Sequence, residues 1–221
     1  MKDKKILHGL NEFQPLLDVH ENGDETVIQG TYQVNETIID VWYFDNFDVK
    51  IIITSKYPLE IPQVFVDGSR LDICEHKYSN GMLCLETVHI LKSFLKKKPS
   101  ISEFLVKFLT PFFVNFIHYE KHGVYLFGER KHGDAGIIQM YQERFSTKDI
   151  YLVLCLLEII TRKKYRGHLL CPCKSGNRIR YCHGKNGMLI NMINSPDQEL
   201  YKADYNNLME NYRNSLKKQG S

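Results

Sequence analysis

The sequence has no excess of one charge, no long apolar run and no internal repeat. Its 29 Lys and Arg residues nearly balance 26 Asp and Glu residues, so the overall charge argues against nucleic acid as a partner. No stretch approaches the roughly 18 apolar residues needed to cross a bilayer. The N-terminal MKDKKILHGL carries charges instead of the apolar segment of a signal peptide. These absences predict a soluble, cytoplasmic protein without a membrane partner.

The composition is that of an ordinary globular protein. The chain has 221 residues, of which 43% are hydrophobic and 25% charged, and this length suits one large or two small domains. Six cysteines in such a chain do not form a disulfide scaffold. Three of them cluster with a histidine between Cys171 and His183, which indicates a metal site in a reducing compartment. Cys74, Cys84 and Cys155 need separate explanations.

Short runs of β-forming residues fill the first third of the chain. Polar and apolar residues alternate over 26–34 and 47–54, and 38–44 is rich in residues that favour strands. These three runs predict an antiparallel meander. After the prolines of YPLEIP, QVFV at 63–66 would add one further strand.

Helical patterns dominate the rest of the chain. Ser100 and Glu103 have the spacing of a capping box, and apolar residues continue at helical spacing until Pro111, where a second helix would begin. Strands followed by helices predict an α+β protein. Other helices are predicted at residues 13–17, 150–160 and 196–217.

The stretch CPCKSGNRIRYCHG, from Cys171 to Gly184, supplies three thiols and an imidazole within one short loop. Cys171, Cys173, Cys182 and His183 are the ligand set of a closed Cys3His site. Four protein ligands leave no coordination position for water or substrate. The sequence therefore predicts a structural zinc ion as the cofactor.

The same segment resembles the SEC-C motif, a short zinc-binding module whose pattern is roughly Cys-Pro-Cys-Gly-Ser-Gly, basic residues, and then Cys-Cys or Cys-His. Lys174 stands where the motif usually has glycine, which alters the turn after Cys173 but leaves the ligands in place. Basic residues nearby could contact an acidic partner or nucleic acid, or form a solvated surface. They are Lys163, Lys164, Arg166, Arg178 and Arg180.

A second candidate site lies in SNGMLCLETVHI, where Cys84 follows an Asn80-Gly81 turn and precedes a predicted helix. A thiolate in a surface groove can accept an acyl chain as a thioester and pass it to an amine. A free cysteine is more often a small core residue, so the residues by themselves favour burial of Cys84.

The order of motifs around Cys84 resembles the ubiquitin-conjugating enzyme (UBC) family over about residues 27–115. That family has a strand meander, a Tyr-Pro, a later proline, another strand, a histidine-containing loop, Asn-Gly-x-x-Cys-Leu, and then a proline and a helix. The resemblance implies a UBC-like antiparallel sheet meander flanked by helices, with Cys84 as the thioester cysteine. The matching residues here are Tyr57-Pro58, Pro62, Val64, His76, Asn80-Gly81, Cys84-Leu85 and Pro99.

By this resemblance the protein is a cysteine acyltransferase. An adenylating partner would load the C-terminal glycine of a carried protein onto Cys84, and an amine would then attack the thioester. FGERKHGDAGIIQMY looks like a run of divergent bacterial UBC-like proteins from antiviral (CBASS-like) or ubiquitin-like conjugation operons. The carried protein would then be a cyclic-oligonucleotide synthase of the nucleotidyltransferase class, or a ubiquitin-like protein. Glu129, His132 and Gly133 of this run are expected to pack behind the groove.

The loop before Cys84 departs from the family pattern His-Pro-Asn, in which the asparagine helps to stabilise the oxyanion. His76 is followed here by Lys77-Tyr78, so the oxyanion donor stays open among Asn80, His76 and backbone amides. Asn80 could equally be only a turn residue, and His76 only an exposed side chain. Glu86 stands where the family has an aspartate that assists the incoming lysine, but a solvent-exposed carboxylate is the favoured interpretation.

Two domains are expected: a UBC-like conjugating domain over residues 1–145, and a helical C-terminal region over 146–221 with the zinc motif at 171–184. A noncatalytic UBC-like adaptor that docks through its zinc module is the alternative function, and the missing Pro-Asn favours it. Cys155 is expected in a helical core, and Cys74 near Cys84 without a role.

Overall fold

A computed structural model of the protein describes residues 5–73, 76–128 and 133–219. The chain divides into two compact units, Met1–Glu129 and Arg130–Ser221. The expected boundary after residue 145 lies later than this division. The helix over Gly133–Arg144 packs with helices of the C-terminal unit, because its Met140 and Tyr141 are buried in that unit's core.

The N-terminal unit is an antiparallel sheet with helices, which confirms the α+β prediction. Its four strands are hydrogen-bonded in sequence order as a meander. The elements are α1 (Leu10–Phe13), β1 (Leu17–Asn22), β2 (Glu25–Ile38), β3 (Val41–Thr54), β4 (Gln63–Val66), a 3-10 turn (Arg70–Ile73), α2 (Val88–Leu95), α3 (Ile101–Phe104), a π-helical turn (Leu105–Leu109) and α4 (Thr110–His122).

Alternation along the central strands sets which face of the sheet is buried. Ile28 of β2 pairs with Ile51 of β3, and Tyr32 pairs with Phe47, so the apolar positions of both strands lie on one face. All four side chains are buried in the core of the unit. The Phe47 ring stacks on Phe113 of α4 at a centroid distance of 4.0 Å, which ties the helix to the sheet.

The run 38–44, predicted as one strand, instead contains the turn of a long hairpin at residues 39–40, and only 41–44 belong to the strand that follows, β3. Ile39 and Asp40 both have positive φ angles, 50° and 61°, as a two-residue type I′ turn requires. Ile38 pairs with Val41 across it. The usual Asn-Gly signal is absent, so the β-forming residues on either side concealed the turn.

The N-terminal segment also differs from its prediction. A helix over 13–17 was expected, but α1 ends at Phe13 and β1 begins at Leu17. Gln14, between them, is buried; its Oε1 accepts from the backbone N–H of Gln33 at 2.8 Å, and its Nε2 donates to the Gln33 carbonyl at 2.9 Å. These two hydrogen bonds to β2 hold the chain in place between the end of α1 and the start of β1.

One continuous helical run covers 101–122 and forms the core of the unit. The capping box is confirmed, since Ser100 Oγ accepts from Glu103 N–H and the Glu103 carboxylate accepts from Ser100 N–H. Pro111 does not separate two helices, because the π-helical turn just before it lets the helix continue. Among the described residues this run alone has the length and mean hydropathy, 1.2, of a membrane span, and 56% of its most apolar 18-residue stretch is buried inside the protein.

The C-terminal unit is helical around its own core. The predicted helices at 150–160 and 196–217 are present with small shifts of their ends. Asp204, buried on the last helix, accepts a 2.7 Å hydrogen bond from the hydroxyl of Tyr141. The elements are α5 (Gly133–Arg144), α6 (Ile150–Thr161), 3-10 turns at Ile179–Tyr181 and Lys185–Gly187, α7 (Met188–Ile193) and α8 (Gln198–Gln219).

Candidate functional site

A short hairpin carries Cys84. The backbone N–H of Cys84 donates to the His76 carbonyl at 2.8 Å, and the N–H of Tyr78 donates to the Met82 carbonyl at 2.8 Å. The three-residue loop between Tyr78 and Met82 ends in Gly81. The φ angle of Gly81, 85°, lies in the left-handed region, as such a hairpin loop requires. Leu83 is buried in the core, and since successive side chains alternate between faces, Cys84 points away from it.

Tyr78 lies on the same face of this hairpin as Cys84, diagonally across the two strands. Aromatic side chains reach such diagonal neighbours, and the Tyr78 side chain lines the same pocket as Cys84. The neighbouring Cys84 thiol, followed by burial, raises the pKa of Tyr78 to about 12. The phenol is therefore protonated at neutral pH and can donate a hydrogen bond beside the sulfur. The sequence reasoning did not assign Tyr78 a role.

Cys84 is half-buried, neither a core residue nor a fully exposed one. It lines a pocket of about 240 Å³ together with Tyr78 and Glu86. Most of the lining is apolar, so a side chain placed next to the thiol would mainly contact hydrocarbon. The apolar lining comes from Ile61, Pro62, Met82, Leu83, Leu85, Val88, Leu91 and Phe104.

Asn80, His76 and two nearby backbone amides each have other contacts in the structure. The Asn80 side-chain oxygen accepts from the N–H of Met82 at 3.1 Å, which is the turn role that the sequence left open. The His76 ring packs edge-on against the rings of Phe112 and Tyr125, at centroid distances of 6.3 and 5.6 Å. The N–H groups of Leu83 and Cys84 donate to backbone carbonyls.

Glu86 lies between the thiol and α2. Its Oε1 accepts from the N–H of Thr87 at 2.8 Å, where the first amides of a helix favour a negative charge. The side chain is nevertheless half-buried and lines the pocket beside Cys84. It is less exposed than the solvent carboxylate favoured by the sequence.

The C-terminal unit brings Cys171, Cys173, Cys182 and His183 together, with their ligand atoms all within 4.8 Å of one another. Sγ of Cys173 is 3.5 Å from Sγ of Cys182, and His183 Nδ1 is 3.2 and 3.3 Å from Sγ of Cys171 and Cys182. Tetrahedral zinc with bonds of about 2.3 Å to sulfur would place two sulfurs roughly 3.8 Å apart. The donor set fits a metal ion bound through Nδ1, and the group could hold one.

The surroundings act in opposite directions on two of the thiols. Burial raises the pKa of Cys171 to about 11. Burial also acts on Cys173, but hydrogen bonds with the hydroxyl and backbone of Ser175 outweigh it and hold the pKa at about 6. Gly184 follows the last ligand because a Cβ there would lie 2.8 Å from the Tyr165 hydroxyl and 2.9 Å from the Ile179 carbonyl.

The remaining candidate residues are placed as follows. Cys155 is half-buried instead of fully in the core, and burial raises the pKa of its thiol. Gly133 begins α5 in the C-terminal unit, and the expectation that it packs behind the groove stays untested. Cys74, Glu129 and His132 lie outside the described residues.

No family model matches the sequence.

Proposed function

We propose that the protein is a ubiquitin-conjugating-enzyme-like transferase that carries an acyl group as a thioester on Cys84. The observation that carries this proposal is the half-buried Cys84 thiol at the wall of a mainly apolar pocket that the Tyr78 side chain also lines. The four-stranded meander and the order of motifs around the cysteine support a UBC-like fold for this unit.

The proposed reaction has two acyl-transfer steps. In the first, the Cys84 thiolate attacks the activated C-terminal glycine carbonyl of the carried protein, a C–S bond forms, and the activating group leaves. In the second, an amine attacks the thioester, the C–N bond forms, and the C–S bond breaks. The amine loses one proton to solvent, and Cys84 leaves as the thiolate. Activation as an acyl adenylate or a thioester is assigned to an adenylating partner.

Tyr78 takes the part of the oxyanion donor in this scheme. Both steps pass through a tetrahedral intermediate, in which the negative oxygen and the sulfur are bonded to the same carbon. The Tyr78 phenol has a pKa near 12 and lines the same pocket as the Cys84 thiol, so its O–H is the donor we assign to the oxyanion. Asn80 and His76, with their contacts in the turn and the aromatic cluster, become positioning residues for the hairpin.

The pocket gives the reaction its preference among acyl groups. Glycine has no side chain, so the terminal residue passes the thiol without filling the pocket. The residue just before it would place its side chain among Ile61, Leu85 and Phe104. An apolar residue at that position is therefore favoured.

The metal centre supplies stability in this proposal. Cys171, Cys173, Cys182 and His183 would hold zinc, a structural ion that folds the loop between α6 and α7. We assign the carried protein to the bacterial nucleotidyltransferases that make cyclic oligonucleotides, or to ubiquitin-like proteins. The setting would be cytoplasmic antiviral defence.

Native-state alkylation tests whether Cys84 is a nucleophile. The protein is treated with iodoacetamide, and modification of each cysteine is followed by mass spectrometry. Cys84 should react at least tenfold faster than Cys155, the matched free thiol whose pKa burial raises. A Cys84 that reacts only after unfolding would refute the transferase.

A noncatalytic adaptor is the second candidate, and the packing of His76 favours it. The ring of His76 packs edge-on against Phe112 and Tyr125, which is a structural environment for this histidine. In an adaptor, the pocket beside Cys84 would hold a partner's side chain without covalent chemistry. The alkylation experiment separates the two functions.

A further inference from the structure

Acidic residues are absent from one long segment of the chain. Between Ile159 and Pro196 the sequence has eight Lys and Arg residues and no Asp or Glu, so all 26 acidic residues lie outside this segment. The near-neutral total charge, which argued against nucleic acid, therefore conceals one segment that is purely basic. The eight basic residues are Arg162, Lys163, Lys164, Arg166, Lys174, Arg178, Arg180 and Lys185.

These charges are exposed and almost unneutralised. All eight side chains belong to exposed residues. Arg162 pairs with Glu158 at 3.1 Å, and the other seven have no ion-pair partner in the part of the chain that the structure describes. A cluster of unpaired cations produces a positive potential that attracts a polyanion.

The loop that carries the four metal-binding candidates places several of these basic residues on one surface. The N–H of Ile179 donates to the Leu169 carbonyl at 2.9 Å, and the N–H of Arg180 donates to the Gly167 carbonyl at 3.1 Å. Leu170 and Arg178 form a β-bridge. The segment with Arg166 therefore lies beside the segment with Arg178 and Arg180. We call these three arginines, with Lys174 and Tyr181, the basic loop surface.

Tyr181 adds an aromatic face to the basic loop surface. Its side chain is 66% exposed, and the Arg180 guanidinium lies 4.7 Å from the ring centroid, over one face. An exposed aromatic ring next to unpaired cations is the combination on which unpaired bases stack while their phosphates are neutralised. An acidic peptide would use the charges but not the ring.

We propose that the basic loop surface binds single-stranded nucleic acid, with the arginines on phosphates and Tyr181 under a base. This inference is independent of the proposed thioester chemistry, because it uses no residue of the pocket around Cys84. Unlike the overall charge, it predicts nucleic acid as a partner of the C-terminal unit.

Fluorescence anisotropy with labelled 20-nucleotide oligo(dT) and oligo(U) tests the proposal on the full chain with zinc bound. For single strands, the logarithm of the binding constant falls linearly with the logarithm of the salt concentration, and each neutralised phosphate adds about 0.7 to the slope. About five contacts would thus weaken binding on the order of 100-fold between 50 and 200 mM salt. If oligo(dT) and oligo(U) bind equally well, the surface recognises phosphates and bases. If oligo(U) binds more tightly, the surface also recognises the 2′-hydroxyl of RNA.

Three variants separate charge from stacking. The double variant Arg178→Ala with Arg180→Ala should lower the salt slope by about 1.4. Tyr181→Ala should weaken binding about tenfold without changing that slope. Lys202→Ala, an exposed lysine on α8 paired with Glu199, is the matched control and should bind as the parent does. Zinc content and circular dichroism verify that each variant is folded.

Two results would overturn the proposal. One is salt-independent binding, or binding that the double variant leaves unchanged. The other is competition by poly-glutamate as strong as that by oligo(dT), with Tyr181→Ala as tight as the parent, which would assign the surface to an acidic protein. Because the thiol assays do not involve these residues, failure here would leave the transferase proposal untouched.

Discussion

The side chains of Tyr78 and Cys84 line the same pocket, on one face of a hairpin whose loop ends at Gly81. The neighbouring thiol, together with burial, raises the pKa of Tyr78 to about 12, which keeps a proton on the phenol in the pocket that holds the sulfur. In the proposed thioester mechanism, Tyr78 takes the place of the oxyanion-stabilising asparagine that the loop lacks.

Tyr78→Phe removes only this O–H. We expect acyl transfer from Cys84 to an added amine to slow by about 100-fold, the usual cost of losing one oxyanion donor. Alkylation of Cys84 should remain fast, because the thiol is still present at the pocket. Single-turnover release of a preformed Cys84 thioester to free lysine measures the rate.

Two matched variants make this result specific. Tyr119→Phe removes a hydroxyl from a tyrosine of α4 that stacks on Tyr125, and it should leave the rate unchanged. Asn80→Ala removes the side-chain oxygen that accepts from Met82, and should cost about 1 kcal/mol of stability. If Asn80→Ala slowed transfer as much as Tyr78→Phe, the oxyanion role would belong to Asn80.

The metal cluster predicts a difference between two cysteines of the C-terminal unit. Cys173→Ser removes one ligand of the group and should lower the zinc content from about one ion per chain to a small fraction. Thermal unfolding of this variant should begin at a lower temperature, and a chelator should do the same to the parent.

Cys155→Ser is the control, because Cys155 lies in α6 outside the ligand group. It should retain the metal, measured by inductively coupled plasma mass spectrometry on unchelated protein. Equal zinc contents in the two variants would contradict the assignment of the ligands.

Arg70 predicts a pH-dependent part of the stability. Its guanidinium contacts Asp45 at 2.6 Å and Glu120 at 2.5 Å and lies over the rings of Phe47 and Phe116. Burial acts to raise the pKa of Asp45, but the bonds from Arg70 outweigh it and hold the pKa below 3.8. A depressed folded-state pKa means that this stabilisation is present above pH 3.8 and is lost as the pH falls through the folded-state value.

Arg70→Met should therefore destabilise the N-terminal unit at pH 7 by about 1 kcal/mol, a figure reduced for solvent screening. Urea denaturation at a series of pH values should show the difference from the parent shrinking below pH 4. Lys56→Met breaks the exposed pair with Glu60 and should leave the midpoint unchanged. A loss for Arg70→Met that stayed constant down to pH 2 would show that packing on the aromatic rings explains the whole effect.

The parts of the fold that the sequence predicted are those with strong local signals. Alternation over β2 and β3, the capping box at Ser100 and the apolar run of α6 are all present, because each is a repeated or reciprocal pattern within a few residues. The hairpin turn at Ile39-Asp40 carried no such signal, and the strand at Leu17 depended on Gln14 bonding to Gln33, a contact between distant residues.

The same distinction explains the two sites. The four metal-binding candidates are close in sequence, so their spacing was sufficient to bring them together. Tyr78 and Cys84 are also close in sequence, but their placement in one pocket depends on the register of the hairpin, since a shift by one residue would put Tyr78 on the other face. A Tyr two residues before Asn-Gly in such a hairpin was the signal that could have found it.

Thioester exchange at Cys84 tests the central claim most directly. The native protein is incubated with a synthetic peptide thioester ending in Leu-Gly and carrying a small sulfonated thiol as leaving group, and the intact mass is measured. The account predicts one peptide adduct that dithiothreitol removes, present in Cys155→Ser and absent in Cys84→Ala. An adduct that persists in Cys84→Ala, or a parent protein that acquires none, would contradict it.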